Sequence, residues 1–347
     1  MNKQNLQKMI DEKYISVQKH PSEDLYIYNY TQKAQFNRMW NEETMNCRGL
    51  ILDGQGNVVA RPFSKFFNLQ EAIDQGEQLP LEDFVLQEKY DGSLGILYWV
   101  GDSPFLATRG SFTSDQAIVG TALLQKYSTT FDELNRDYTY LFEIIYPENR
   151  IVVDYKGRKD VVLLAVIDTK TGKELDLFEN YNRFPFAPYI AGIDDYNTLK
   201  ERAEDNKEGF VIRFASNKRY KVKFDEYVRL HRLITGVNAK TIWELLRAGQ
   251  SFEELMERVP DEFYEWVKTT KRKLEEEFAL LEKSAKAHRE IIRTLPTRKD
   301  QAISVQKHAP KLSSVIYRML DKQPYADIIW KMIRPRADKP WKEDVDA

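Results

Sequence analysis

The sequence predicts an α+β domain built on antiparallel sheets, followed by an all-α C-terminal domain. The first two thirds of the chain consist of short segments rich in β-branched and aromatic residues, separated by turn residues. The spacers DGQGN at 53 to 57 and KTGKE at 170 to 174 are hairpin signals, which makes the pairing antiparallel. After about residue 226 the apolar residues recur at intervals of three and four instead of two, the mark of helices.

Taken in order, the predicted strands are LYIYNY, GLILD, NVVARPF, FVLQEKY, LGILYWV, TYLFEIIY, RIVVDY, VVLLAVI, GFVIRF and YKVKF, interrupted by a helix over 115 to 127. In the last third, Leu274, Phe278, Leu281, Ala285, His288, Ile292 and Leu295 form one helical stripe, and Leu312, Val315, Ile316, Met319 and Leu320 begin another. His288 falls inside its stripe and reads as a packing residue. The change of period divides the chain into a domain over 1–235 and a helical one over 236–347. Between Lys268 and Lys311 basic residues outnumber acidic ones by about two to one, which leaves a basic outer face on these helices.

A chain of 347 residues with 42% hydrophobic content supplies a core for each of two domains. No apolar run approaches the roughly 18 to 20 residues that cross a bilayer, and the opening MNKQNLQKMIDEKY lacks the apolar stretch of a secretory signal. A cytoplasmic location is therefore expected. The formal net charge of -2 excludes a uniformly basic nucleic-acid binder, so any such surface must be local. The single cysteine, Cys47, excludes an internal disulfide and a thiolate zinc cluster and reads as a small buried hydrophobe. His20, His231, His288 and His308 lack metal-ligand spacing.

The most informative stretch is QEKYDGSLG at 87 to 95, in which a strand ends at Lys89 and a glycine turn leads into the next strand. An ordinary lysine has a pKa near 10.4, so freeing its amine near pH 7.4 costs about 4 kcal/mol, and cationic neighbours lower that cost. In YKVKF, alternation puts Lys221 and Lys223 on one face and Tyr220, Val222 and Phe224 on the other. A solvated lysine face is one reading, and an anion bound between the two ammonium groups is the other. Glu143 in YLFEIIY and Glu208 in EGFVIRF are carboxylates at strand positions that are otherwise apolar. Each needs a cation, a hydrogen-bonding ligand such as ribose, or a salt bridge to Arg150 or Arg213.

The order K-x-D-G, inward glutamate, E-G and K-x-K resembles the covalent nucleotidyltransferase superfamily of ligases and capping enzymes. Upstream, YNY at 28 to 30, CRG at 47 to 49 and RPFSKFFNL at 61 to 69 look like the phage-type RNA ligase 1 family, over roughly residues 25 to 235. The resemblance implies an antiparallel-sheet nucleotidyltransferase domain of the ATP-grasp-like ligase type and the activity of an ATP-dependent RNA ligase. Lys89 would attack the α-phosphate of ATP, expel pyrophosphate and carry AMP. The AMP would then pass to an RNA 5'-phosphate, and a 3'-hydroxyl would seal the strand.

The same resemblance assigns residues. Arg48 and Lys65 would contact the triphosphate, with Tyr28 also at the nucleotide. Lys221 and Lys223 would flank the α-phosphate, and Asp91 and Gly92 would shape the turn behind Lys89. Arg109 would face the nucleotide or an RNA phosphate, while Ala107 stands where relatives can carry another lysine. Glu143 and Glu208 would hold ribose or hydrated Mg2+, with Mn2+ as a substitute, and Glu253 is a candidate for a further metal ligand. The implied partners are RNA with 5'-phosphate and 3'-hydroxyl ends, such as cleaved tRNA, and an end-healing kinase/phosphatase. Choosing the RNA would fall to the helical domain.

DNA ligases and capping guanylyltransferases follow the K-x-K strand with a small β-barrel, whereas helices follow here. A non-catalytic RNA-binding relative would have lost the nucleophile or the lysine pair, and both are present. A DNA substrate stays open, because recognition of a 2'-hydroxyl is not written in these motifs.

Overall fold

The structure, a computed structural model, describes residues 2–177, 183–256, 259 and 261–336. Two compact units divide the chain, one running to Arg229 and the other beginning at Leu230, within the helix Asp225–Gly236.

Among the described residues the first unit holds three sheets. Strands Ile15–Lys19 (β1), Leu25–Tyr30 (β2), Arg48–Asp53 (β3) and Val58–Ala60 (β4) form a meander in that order. The later strands are Phe67–Asn68 (β5), Phe84–Lys89 (β6), Ser93–Val100 (β7), Ser103–Ala107 (β8), Tyr138–Ile145 (β9), Asp160–Asp168 (β10), Glu174–Leu175 (β11), Tyr189–Ile190 (β12), Gly209–Phe214 (β13) and Arg219–Lys223 (β14). They make a sheet of order β11-β10-β9-β7-β8 and another of order β12-β6-β13-β14-β5.

The sheet centred on β9 is buried on both faces, which is why VVLLAVI and LGILYWV are continuous apolar runs rather than alternating ones. On one face Leu97, Tyr140, Phe142 and Leu163 pack with Leu124, from the helix Asp115–Leu124. On the other, Ile96, Leu141 and Ala165 meet Ile27 and Ile51 of the first sheet. Each such side chain contributes roughly 1.5–3 kcal/mol by leaving water. Cys47 is buried beside Met9 and Leu50, and burial pushes its thiol up to about 12, in keeping with a packing role.

Both hairpin signals join antiparallel pairs, β3 to β4 and β10 to β11. Four expectations need correction. The strand predicted at NVVARPF ends at Ala60, because the Arg61 amide donates to Thr139 Oγ1 (2.9 Å) and Pro62 has no N–H to offer a ladder. RIVVDY is not a strand: the amides of Val152 and Val153 both donate to Asp91 Oδ2, at 2.9 and 2.8 Å, and so do not pair with a neighbouring strand. The helix predicted to 127 ends at Leu124 and tightens into a 3-10 segment, Gln125–Glu133, with Tyr127 outside helical dihedrals. Finally, β14 pairs with β5 in parallel, Tyr220 opposite Phe67 and Lys221 opposite Asn68.

The second unit contains the helices Ala239–Ala248, Asp261–Ile292, Arg298–His308, Ser313–Leu320 and Ala326–Met332. Its core joins the two predicted stripes: Ala285, Ile292, Val305, Val315, Ile316 and Ile329 are fully or almost fully buried. His288 sits in the stripe with Nδ1 2.9 Å from the Ser284 carbonyl. Many basic side chains of the long helix are paired one turn away, as in Lys271–Glu275 and Lys286–Glu282, exposed contacts worth little to stability. Among the described residues no helix is long and apolar enough to cross a membrane.

Candidate active site

Three adjacent strands bring the lysines together. Gly209 on β13 lies opposite Lys89 on β6 and opposite Lys223 on β14, so both lysines project beside the residue that precedes it, Glu208. Glu208 is 1% exposed: Oε2 accepts from Lys89 Nζ at 2.7 Å, and Oε1 lies 2.9 Å from Lys223 Nζ, an ion pair without the geometry of a hydrogen bond. Lys221 stands two residues before Lys223 on the same half-exposed face, while Tyr220, Val222 and Phe224 are buried, as alternation requires. A glycine is needed at 209, because φ is +144° and an added Cβ would lie 1.9 Å from the Val222 carbonyl oxygen.

The turn after Lys89 is fixed from beneath. Asp91 is buried and accepts from the Val152 and Val153 amides and from the Tyr227 hydroxyl (2.8 Å), while its own amide donates to the Tyr155 hydroxyl (2.7 Å). Burial, together with the nearby Glu208 carboxylate, pushes the Asp91 carboxyl above its usual range despite these donors. The Gly92 amide donates to Glu143 Oε1 at 2.9 Å, and a Cβ at 92 would come within 2.6 Å of the Ile144 carbonyl oxygen.

Above these residues lies an open cleft. Arg48, Lys65, Lys89, Arg219, Lys221 and Lys223 line it against two carboxylates, Glu88 and Glu143, so it suits a multiply charged anion. Phe63, Phe66, Leu164 and Val211 supply an apolar wall of the kind a planar base packs against. Gln87 is oriented by its Nε2, which donates to the carbonyls of Leu164 and Ala187.

Arg48, Lys65 and Arg109 converge on one phenol. The Tyr30 hydroxyl accepts from Lys65 Nζ at 3.3 Å and from Arg109 Nη1 at 3.0 Å. Burial alone would raise the Tyr30 pKa, but the charges of Arg109, Arg48 and Lys65 and the Lys65 hydrogen bond outweigh it and bring the phenol below its ordinary value. The tyrosine expected at the nucleotide, Tyr28, instead packs with Ile15, Cys47 and Leu50 and does not line the cleft. The β2/β3 register slips between Tyr28 and Asn29, and this irregularity re-aims the end of the strand, so that Tyr30 takes the cleft position.

Sequence reasoning also missed a buried charge cluster under the cleft. Glu174, 5% exposed, pairs with Arg219 and with Arg213 Nε (3.3 Å), and the Arg219 guanidinium stacks 4.6 Å from the Phe63 ring centre. Arg213 is thereby committed to Glu174. Glu208, expected to hold ribose or a metal ion, is ion-paired with both lysines. Glu143 is partly committed to the Gly92 amide, and among the described residues no group of three or more His, Cys, Asp or Glu could hold a metal ion. Glu253 opens the helix Glu253–Met256, but its side chain lies outside the described residues.

A strand-end lysine held by a carboxylate, beside a K-x-K strand and a cation-lined cleft between antiparallel sheets, defines the site of a nucleotidyltransferase-type fold. The chain belongs to the RNA ligase family, whose model matches residues 46–228. A protein provisionally described as an RNA ligase, from Thermovibrio ammonificans, is 31% identical over 205 residues, covering 54% of this chain and 53% of that one. A provisionally described bifunctional polynucleotide kinase/RNA ligase, from Autographa californica nuclear polyhedrosis virus, is 28% identical over 255 residues, 65% of this chain and 36% of that one. The chain thus spans about half or less of the length of these two curated relatives. Among solved structures, a Naegleria gruberi RNA ligase with PPi is 19% identical with a TM-score of 0.41, covering 51% of this chain and 60% of that one.

Proposed function

We propose that this protein is an ATP-dependent RNA ligase that joins 5'-phosphate and 3'-hydroxyl ends through a lysine–AMP intermediate on Lys89 and an adenylylated RNA 5' end. The observation that carries this reading is the shared carboxylate: Glu208 holds Lys89 Nζ and Lys223 Nζ within 3 Å of its two oxygens, at the edge of a cation-lined cleft.

Lys89 Nζ, freed of its proton, forms the N–P bond to the α-phosphorus as the α–β bridging bond breaks and pyrophosphate leaves with the electron pair. Glu208 orients Nζ, yet the same ion pair favours the ammonium form, so the bond to Glu208 has to loosen when the phosphate arrives. Lys223 on the same carboxylate weakens that hold, and Lys221 and Lys223 offset charge on the phosphate. Arg48, Lys65 and Arg109, gathered by Tyr30, suit the distal phosphates. Glu143, one oxygen of which receives the Gly92 amide, suits a ribose hydroxyl. A divalent ion would enter with ATP, where it would neutralise phosphate charge.

The adenylyl group then passes to the RNA 5'-phosphate, and a 3'-hydroxyl displaces AMP. Repair of cleaved tRNA is the process this reading favours. The viral relative whose description couples a polynucleotide kinase to an RNA ligase supports pairing with an end-healing activity. The second unit would select the RNA. Incubation with α-labelled ATP and magnesium, then with 5'-phosphorylated RNA, tests the reading: label should appear on the protein and move to the RNA 5' end. A protein that takes no label, under conditions where it is folded, contradicts it.

A further inference from the structure

A second pocket shares Lys65, Phe66 and Lys221 with the cleft, so the two adjoin at the phosphate end of the site. Its remaining wall is formed by Gln35, Arg38, Trp40, Phe67, Asn68 and the acidic Glu71, which the three cations Arg38, Lys65 and Lys221 outnumber. Gln35 Oε1 and Asn68 Oδ1 are buried without a hydrogen-bond partner. Such acceptors are rare in folded proteins, because leaving one unpaired forfeits a hydrogen bond that water would have made. Both point to a ligand that brings donors.

Arg38 adds an independent sign. It has a φ of +50° in the turn after the helix Gln32–Phe36, where the Met39 amide closes on the Ala34 carbonyl. A glycine would take that left-handed position with less strain, yet the chain places an exposed cationic side chain there, at the pocket. Trp40 contributes an aromatic ring, with Lys65 Nζ 5.2 Å from its centre.

Cations suit a phosphate, unpaired amide oxygens suit hydroxyls, and the indole suits a base or sugar face. A bare triphosphate or pyrophosphate would satisfy the cations alone, since it has no donor to give Gln35 and Asn68. A ribonucleotide satisfies all of them. We propose that this pocket seats the terminal nucleotide of the acceptor strand, with Gln35 and Asn68 accepting from its ribose hydroxyls and Arg38 and Lys65 meeting its phosphate, so that an RNA 3' end is distinguished from a DNA one here. The inference rests on the ligase reading above. In the sealing step the 3'-oxygen forms the new bond to the 5'-phosphorus, the bond to AMP breaks with its electrons leaving on AMP, and the hydroxyl proton passes to water.

The test uses the full chain, a 5'-adenylylated donor strand without ATP, and two acceptors that differ only in whether the last sugar carries a 2'-hydroxyl. The wild-type protein should seal the 2'-deoxy acceptor about tenfold or more slowly, the effect of leaving a buried acceptor unpaired. Gln35→Ala and Asn68→Ala should bring the ratio of the two rates toward one. Equal rates with the wild-type protein overturn the proposal, as does a full ratio retained in both variants. If Asn68→Ala does not fold, the ratio in Gln35→Ala decides. Because the ratio is internal to each protein, general loss of activity does not move it. Failure to seal either acceptor, together with no protein labelling by ATP, would instead strike the ligase reading itself.

Discussion

Replacing Gly209 with alanine separates the claim that strand register builds the site from the claim that the motif residues act singly. At 209 the φ of +144° is one that side chains rarely adopt, and the new Cβ would sit 1.9 Å from the Val222 carbonyl oxygen and 3.0 Å from Lys223 Cα. Restoring even the closest tolerable contact parts β13 from β14 by roughly 1 Å. Backbone strain at such a position costs about 1–3 kcal/mol, and the forced separation brings the total to roughly 2–5 kcal/mol. For a unit of this size that corresponds to a melting temperature lower by about 4–20 °C. Gly209 is opposite both Lys89 and Lys223, so the same displacement moves the two lysines apart, and about 1 Å at a reacting centre costs on the order of a hundredfold in rate. The assay pairs a thermal melt of the full chain with the single-turnover rate of protein labelling by α-labelled ATP. A variant that melts and labels like the wild type would refute the reasoning, since the register could not then be what positions the lysines.

Lys221→Ala and Lys223→Ala should each slow labelling by more than about tenfold, beyond the loss of one exposed phosphate contact, and near-wild-type rates would return them to a solvated face. Glu174→Ala should destabilise the first unit by about 3–5 kcal/mol, because it strands the Arg213 and Arg219 guanidinium groups, and an unchanged melt would show that water already compensates them. Tyr30→Phe removes the oxygen that receives Lys65 and Arg109. Because the folded phenol titrates below its ordinary value, its ionisation stabilises the folded state at alkaline pH, and that contribution is lost as pH falls through the folded pKa. The wild type should therefore gain stability over Tyr30→Phe as pH rises toward 10, and a gap that stays constant with pH would contradict the phenol's setting.

What could be read from the sequence was local. Lys89 before a glycine turn, the alternation of Lys221 and Lys223, and glutamates at apolar strand positions are all period-two features, and the structure places them on β6, β14, β9 and just before β13. The helical stripes of the second unit were legible for the same reason. What depended on distant pairings was not. RIVVDY has the composition of a strand, but its amides serve Asp91, some sixty residues away. Tyr28 and Tyr30 are equivalent in any alternating pattern, and the irregularity opposite them in β3 decides between them. The double use of Glu208 needs the register of three strands at once, and the Glu174 cluster joins β11 to β13 and β14. The unpaired side-chain oxygens of Gln35 and Asn68 carry no signal in the sequence.

The central claim is that Lys89 carries the adenylyl group, and locating the AMP on the protein tests it most directly. The full chain, incubated with ATP and magnesium and digested, should show an acid-labile AMP adduct confined by mass spectrometry to the peptide containing Lys89. Lys89→Ala should lack the adduct while still sealing RNA that already bears a 5'-adenylate, because only the first two steps need the nucleophile. An adduct on Lys221, Lys223 or any other residue, or wild-type labelling of Lys89→Ala, would contradict the account.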